Sequence, residues 1–191
     1  MSIFTVDMIE REIKGAKKIA IAGHIRPDGD CIGSCTALYQ YLKLCRKELN
    51  DPQIDVYLEP FGREFDLLTG ADIVRHTYDF DDTYDVFISL DCSSLDRIGD
   101  ALRYFNSAKK TICIDHHITN NNFADINYVE AEASSTCEVL YNLLNKDKIT
   151  KEIAESLYVG IVHDTGIFRH SSTSDKTMEI AADLMRKGIN F

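Results

Sequence analysis

A chain of 191 residues with 45% apolar side chains is long enough to bury one substantial core. No run of about 18 uncharged apolar residues occurs, and the opening MSIFTVDMIEREIKGAKK lacks the apolar core and cleavage site of a secretory signal, so neither a membrane span nor export is expected and a cytoplasmic location is. The formal net charge of −10 repels phosphate backbones: long nucleic acid is not an expected partner, and any anionic ligand must be held by a few basic side chains or by bound metal.

In chain order, the spacing of Ile3, Val6, Ile9 and Ile13 predicts an opening helix ended near Gly15, and KKIAIAG (17–23) has the length of a buried strand. The stretch 33–49, GSCTALYQYLKLCRKEL, predicts a helix. QIDVYLE (53–59), YDVFISLD (84–91) and KTICID (110–115) read as strands, with ADIVRH (71–76) a weaker strand candidate. From Ser134 onward SSTCEVLYNLLNK, TKEIAESLYVGIVHD and SDKTMEIAADLMRKG each carry a Ser or Thr start signal and apolar 3–4 spacing, the last closed by Gly188. Strands alternating with helices predict an α/β fold: a mostly parallel central sheet flanked by helices, with a helical C-terminal third. The six cysteines (Cys31, Cys35, Cys45, Cys92, Cys113, Cys137) show no CxxC pairing and read as reduced packing residues, Cys31 and Cys92 included.

In open parallel sheets, ligands sit beyond the carboxyl ends of the strands. Four segments run from an apolar element into polar residues of the kind a ligand needs: AIAGHIRPDGD, FISLDCSSLDRIG, ICIDHHITNNN and GIVHDTGIFRHSSTS. Taken singly, each has an ordinary reading, an aspartate as a helix cap or turn residue and a histidine as a hydrogen-bonded side chain. Gathered at one edge, Asp28, Asp30, Asp91 and Asp164 concentrate four negative charges, a costly arrangement unless cations neutralise them. Two divalent cations would do so. Imidazoles and carboxylates without a thiolate lean towards Mn2+, with Mg2+, Co2+, Fe2+ or Zn2+ as alternatives, and a pair of such ions about 3.5–4 Å apart points to phosphoester hydrolysis. Pro27 and Gly29 allow the tight turn that brings His24, Asp28 and Asp30 together. A glycine-rich phosphate loop is the competing reading of PDGDCIG, but it lacks the Lys-Ser/Thr of a P-loop.

HIRPDGD, the LD of FISLDCSSLDRIG, the DHH of ICIDHHITN and HDTGIFR resemble, in this order, the four motifs of the DHH phosphoesterase family. The resemblance runs from about residue 15 to 190, and ASSTCEVLY and TGIFRHSSTS are most similar to the bacterial nanoRNase and pAp-phosphatase branch. It implies one metal on His24, Asp28 and Asp91 and a second on Asp30, Asp91, His116 and Asp164, with Asp91 bridging. His117 would then face the scissile phosphate and Asp115 would orient the histidines. Water, not a side chain, would be the nucleophile. Arg97, Arg169, Ser135 and Thr136 are weaker candidates for substrate contact, while His163 and His170 are not expected to be ligands because adjacent side chains diverge.

The expectation is therefore one domain over residues 1–191: a two-metal phosphoesterase acting on short oligoribonucleotides, pAp or cyclic dinucleotides, with a homodimer possible. An inorganic pyrophosphatase or a single-strand DNA exonuclease is the alternative within the family, and a non-catalytic metal- or nucleotide-binding regulatory module the alternative outside it. The glycine-rich, basic C-terminal domain that nanoribonuclease-type members use to bind the nucleotide is not found in this sequence, so the chain is expected to be a fragment of such a protein.

Overall fold

The structure is a computed structural model and describes residues 7–79 and 81–190. Five strands, β1 (Lys18–Ala22), β2 (Gln53–Tyr57), β3 (Val86–Leu90), β4 (Lys110–Asp115) and β5 (Ile126–Val129), form one sheet in the order β2-β1-β3-β4-β5 with every neighbouring pair parallel. Among the described residues, six α-helices accompany them: α1 (Asp7–Ile13), α2 (Gly29–Leu44), α3 (Leu102–Ser107), α4 (Thr136–Leu143), α5 (Lys151–Asp164) and α6 (Asp175–Arg186). The expected α/β architecture with a mostly parallel sheet and a helical C-terminal third is the one observed.

Alternation along β1 explains the layering. Ile19 and Ile21 enter a large core shared with α1, α2, α4, α5 and α6, whereas Ala20 and Ala22 face a smaller core of Tyr57, Tyr84, Phe87, Ile98, Tyr104 and Phe105 on the other side. Small residues on that second face of β1 leave room for three tyrosine rings; Tyr57 and Tyr104 pack 4.7 Å apart between centroids. All six cysteines are buried free thiols, as their sequence setting predicts. Among the described residues, no helix is long and apolar enough to cross a membrane.

Three elements differ from the sequence reading. α2 starts four residues earlier than residue 33, because the Asp28 carboxylate caps it, accepting from the Asp30 and Cys31 N–H groups at 3.1 Å each. The 71–76 segment is a single 3-10 turn (Ala71–Ile73) followed by a one-residue bridge from Arg75 to Tyr57, since Gly70 at φ 90° kinks the chain before it can run along the sheet edge. β5 is an added strand, too short and too half-exposed to show a period in the sequence. Of the opening helix, Ile3 and Val6 lie outside the described residues.

The strand order places the site. The chain goes from β1 outward to β2 and then back across to β3, so the connections diverge at the β1/β3 boundary, where parallel sheets form a crevice beyond their carboxyl ends. Register sets the level: His24 and Asp91 lie two residues beyond the paired Ala22 and Ser89, and Asp91 and Asp115 lie one beyond Leu90 and Ile114.

Candidate metal centre

His24 follows β1 and is 6% exposed. Its Nδ1 donates to the Ile25 carbonyl at 2.8 Å, turning Nε2 towards Asp91 Oδ2 (3.3 Å) and Asp28 Oδ1 (3.7 Å). Burial alone would lower its pKa, but the carboxylates of Asp28 and Asp91 raise it. For Asp28, burial opposes and His24 together with the Cys31 N–H prevails, bringing the carboxyl down to about 2.

Asp91 sits at the crossing point. Its Oδ2 faces His24, while Oδ1 accepts from the Thr136 hydroxyl (3.0 Å) and lies 3.7 Å from His116 Nε2. The two oxygens of one carboxylate thus face two different ligand groups.

Asp30, in the first turn of α2, is fully buried, and its two oxygens accept from the N–H groups of Thr136 (2.6 Å) and Cys137 (2.9 Å) at the start of α4. Desolvation, then the charges of Asp91 and Asp164, push its carboxyl well up despite those donors. His116 completes this side: Nδ1 donates to the Ala133 carbonyl (3.3 Å) and Nε2 lies 3.1 Å from Asp164 Oδ2 at the end of α5. Imidazoles held through one nitrogen by a backbone carbonyl, with the other aimed into carboxylates, have the orientation of metal ligands.

His117 Nδ1 donates to Asp115 Oδ1 at 2.7 Å, and Asn120 donates to the other oxygen of Asp115 at 2.7 Å. Burial would raise the Asp115 carboxyl, but these two donors lower it; the same contact with Asp115 raises His117. Asn120, which also donates to the Cys92 carbonyl (3.0 Å), is missing from the sequence reading, although it stands in the quoted DHHITNN segment.

The structure brings the six expected ligands, His24, Asp28, Asp30, Asp91, His116 and Asp164, to one crevice as overlapping sets. Ligand atoms of Asp30, His116 and Asp164 lie within 4.8 Å of one another, as do those of Asp91, His116 and His117. Two residues join that the sequence reading kept apart. Cys31 forms a set with His24 and Asp91, and His163 forms one with Asp28 and Asp164, because its ring packs against Gly29, where a Cβ would lie 2.7 Å from it. Of the candidate substrate contacts, Arg97 reaches the edge of the site, Nη2 lying 3.1 Å from His24 Nδ1. Arg169 donates from Nε to the Gly166 carbonyl and lines an open apolar groove together with His163, Phe65, Leu68, Tyr158, Val162 and Ile167. Ser135 is fully buried and caps α4, accepting from the Glu138 N–H (3.0 Å), and Thr136, equally buried, holds Asp30 and Asp91. After Asp164 the chain makes a left-handed turn through Gly166, Ile167 and Phe168 (φ 55°, 61° and 59°), tied by the Phe168 N–H to the Thr165 hydroxyl at 3.0 Å.

Comparison with known proteins agrees with this geometry. The family model "DHH family, N-terminal domain" matches residues 18–161. The chain is 33% identical over 183 residues to a probable bifunctional oligoribonuclease and PAP phosphatase NrnA of Streptococcus mutans, covering 94% of this chain and 56% of that protein. It is 31% identical over 184 residues to the bifunctional oligoribonuclease and PAP phosphatase NrnA of Thermus thermophilus, covering 91% and 51%. The crystal structure of an exopolyphosphatase-related protein from Bacteroides fragilis superposes with a TM-score of 0.83 at 29% identity, over 97% of this chain and 57% of that one. The chain thus spans just over half the length of these relatives. With the motif residues of four separate segments converging on one crevice, the chain belongs to the DHH family and is closely related to its bacterial NrnA oligoribonuclease and PAP-phosphatase branch.

Proposed function

We propose that this chain is a two-metal phosphoesterase acting on small nucleotides, with Mn2+ as a working metal and short oligoribonucleotides or pAp as substrates. The observation that carries the reading is Asp91, whose two oxygens face His24 on one side and His116 on the other, within a crevice that also gathers Asp28, Asp30 and Asp164. The donor set fits divalent cations: carboxylates buried against one another, with Asp30 fully enclosed, are stable as anions only if positive charge sits among them. When bound, two such ions supply the charge that polarises a phosphoryl group and acidifies a water molecule.

The residues have these roles. His24, Asp28 and Asp91 would hold one ion, and Asp30, Asp91, His116 and Asp164 would hold the other. His117, fixed by Asp115 and with its side chain 41% exposed, presents its remaining nitrogen to a phosphoryl or leaving-group oxygen. Asp115 and Asn120 set that ring's orientation. Thr136 braces Asp91, and Arg97, with Nη2 3.1 Å from His24, would offer its guanidinium to a second phosphate. The names of the relatives support the nucleotide class.

The test is hydrolysis of pAp, a diribonucleotide, a cyclic dinucleotide and pyrophosphate by the purified chain with Mn2+ and with chelator. Turnover of pAp or the diribonucleotide that chelator abolishes is expected, with His117→Ala keeping its metal but losing about 100-fold or more in kcat. Turnover of pyrophosphate alone would move the substrate class, and metal-independent turnover would remove the mechanism.

A further inference from the structure

Arg26 stands between His24 and Asp28 in the chain, yet nothing described above uses its side chain. The residue is exposed, and its backbone is left-handed at φ 54°, a conformation uncommon outside glycine that persists where the surroundings impose it. Two contacts impose it here. The Arg26 N–H donates to Glu59 Oε2 at 2.7 Å, beyond β2, and the preceding Ile25 N–H donates to the Arg97 carbonyl at 2.8 Å, beyond β3. Among the described residues the Arg26 guanidinium has no hydrogen-bond or ion-pair partner, whereas those of Arg46, Arg75 and Arg103 each pair with an aspartate at 3.0 Å or less.

Charge decides what such a group can do. Asp28, Asp30, Asp91 and Asp164 carry four negative charges, which two divalent ions cancel without surplus. A phosphate lying on the ions is served by them; a second phosphate on the same nucleoside has only the rim, because a molecule of net charge −10 offers it no attraction from the surface at large. In the segments that follow β1 and β3, residues 23–28 and 91–101, the lysine and arginine side chains are those of Arg26 and Arg97 alone. The Ile25–Arg97 bond ties these segments backbone to backbone, so the two guanidiniums start from neighbouring points, and two such forks suit one phosphate group.

We propose that Arg26, with Arg97 beside it, binds the non-scissile 5′-phosphate of a nucleotide whose 3′-phosphate lies at the metal centre, and so selects substrates that carry a second phosphate. This rests on the two-metal reading above. The residue sets specificity and takes no part in the bond cleavage. Its left-handed backbone is the means: the chain turns at Arg26, leaving His24 and Asp28 to the metal and this one side chain outside the ligand set.

The test compares pApA with ApA, which share one scissile bond and differ in the 5′-phosphate, and adds pAp, all with Mn2+. Arg26→Gly is the informative variant, because glycine takes φ 54° without strain and the guanidinium alone is lost. In it KM for pApA and pAp is expected to rise at least about tenfold with kcat within about twofold, while both constants for ApA and the bound Mn2+ stay unchanged. Arg26→Lys is expected to recover part of the loss. Arg11→Gln is the control for net charge; Arg11 is on α1, whose Glu12 pairs with Lys110 at the start of β4, the end of the strand away from the crevice, and it is expected to change nothing. A second readout needs no turnover: equilibrium binding of pAp to Mn2+-loaded His117→Ala protein is expected to weaken at least about tenfold when Arg26→Gly is added. Equal losses on pApA and ApA, or pAp binding that ignores Arg26→Gly, would overturn the assignment and leave the phosphoesterase reading standing. Binding of pAp that depends on Arg26 in a wild type that cleaves none of the three would overturn the phosphoesterase reading and leave the assignment standing.

Discussion

Asp91 holds a left-handed backbone at φ 58°, a conformation that costs a non-glycine residue about 1–3 kcal/mol and persists where the surroundings over-determine it. Here its N–H donates to the Ile114 carbonyl at 3.0 Å, one step past the end of the β3/β4 pairing, and its carboxylate is fixed by the Thr136 hydroxyl. The backbone twist thus directs a carboxylate into the crevice instead of continuing the strand. His116 carries a second consequence at this scale. Without metal, burial would lower its pKa from 6.5, but Asp164 at 3.1 Å and the charges of Asp30 and Asp91 push it up to about 9. A group raised on folding contributes stability that is complete below its unfolded pKa of 6.5 and is lost as pH rises through the folded value. The same nitrogen is the one a cation would take. The urea midpoint of chelator-treated protein is therefore expected to fall between pH 6.5 and about 9, while that of metal-saturated protein does not fall across that interval. Identical pH slopes with and without metal would contradict this.

Among the helices, the site depends on how closely α2 and α5 approach. Gly33 on α2 and Gly160 on α5 face each other: a Cβ on Gly33 would lie 2.5 Å from the Ser156 carbonyl, and one on Gly160 would lie 2.3 Å from Cys137 Sγ and 2.7 Å from Asp30 Oδ1. Alanine gains about 1 kcal/mol over glycine in a helix interior, yet overpacking of this kind costs about 1–3 kcal/mol, so the clash wins. Gly160→Ala is expected to lower the urea midpoint and, by displacing the Asp30 carboxylate from the start of α4, to weaken metal binding as well; unchanged metal affinity would mean that Asp30 is placed some other way. This approach was not legible in the sequence. Gly33 and Gly160 are two glycines in helical segments, and the fit shows only when the helices are packed. The start of α2 was misread for a related reason: Pro27, Asp28 and Gly29 are turn residues by composition, and that Asp28 ends the turn by capping a helix is decided by its contacts with two N–H groups.

Across the whole molecule, the legible part is what a parallel sheet dictates. His24, Asp91, Asp115 and His116 each follow an apolar strand segment, and strand order with register brings their carboxyl ends to one crevice. What remained hidden are neighbours from distant parts of the chain: Thr136 and Cys137 donating to Asp30, Cys31 beneath His24, and His163 beside Asp28. Each depends on helices crossing the sheet, which periodicity along one segment does not encode. With a net charge of −10, the molecule gathers Asp28, Asp30, Asp91 and Asp164 in one crevice, and the proposed two-metal centre rests on cations neutralising them. The most direct test is the number of Mn2+ ions bound per chain at equilibrium, by elemental analysis of dialysed wild type, Asp28→Ala and Asp91→Ala. The account predicts two ions in the wild type and a larger loss in Asp91→Ala than in Asp28→Ala; a wild-type value near zero, or equal partial losses in the two variants, would contradict it.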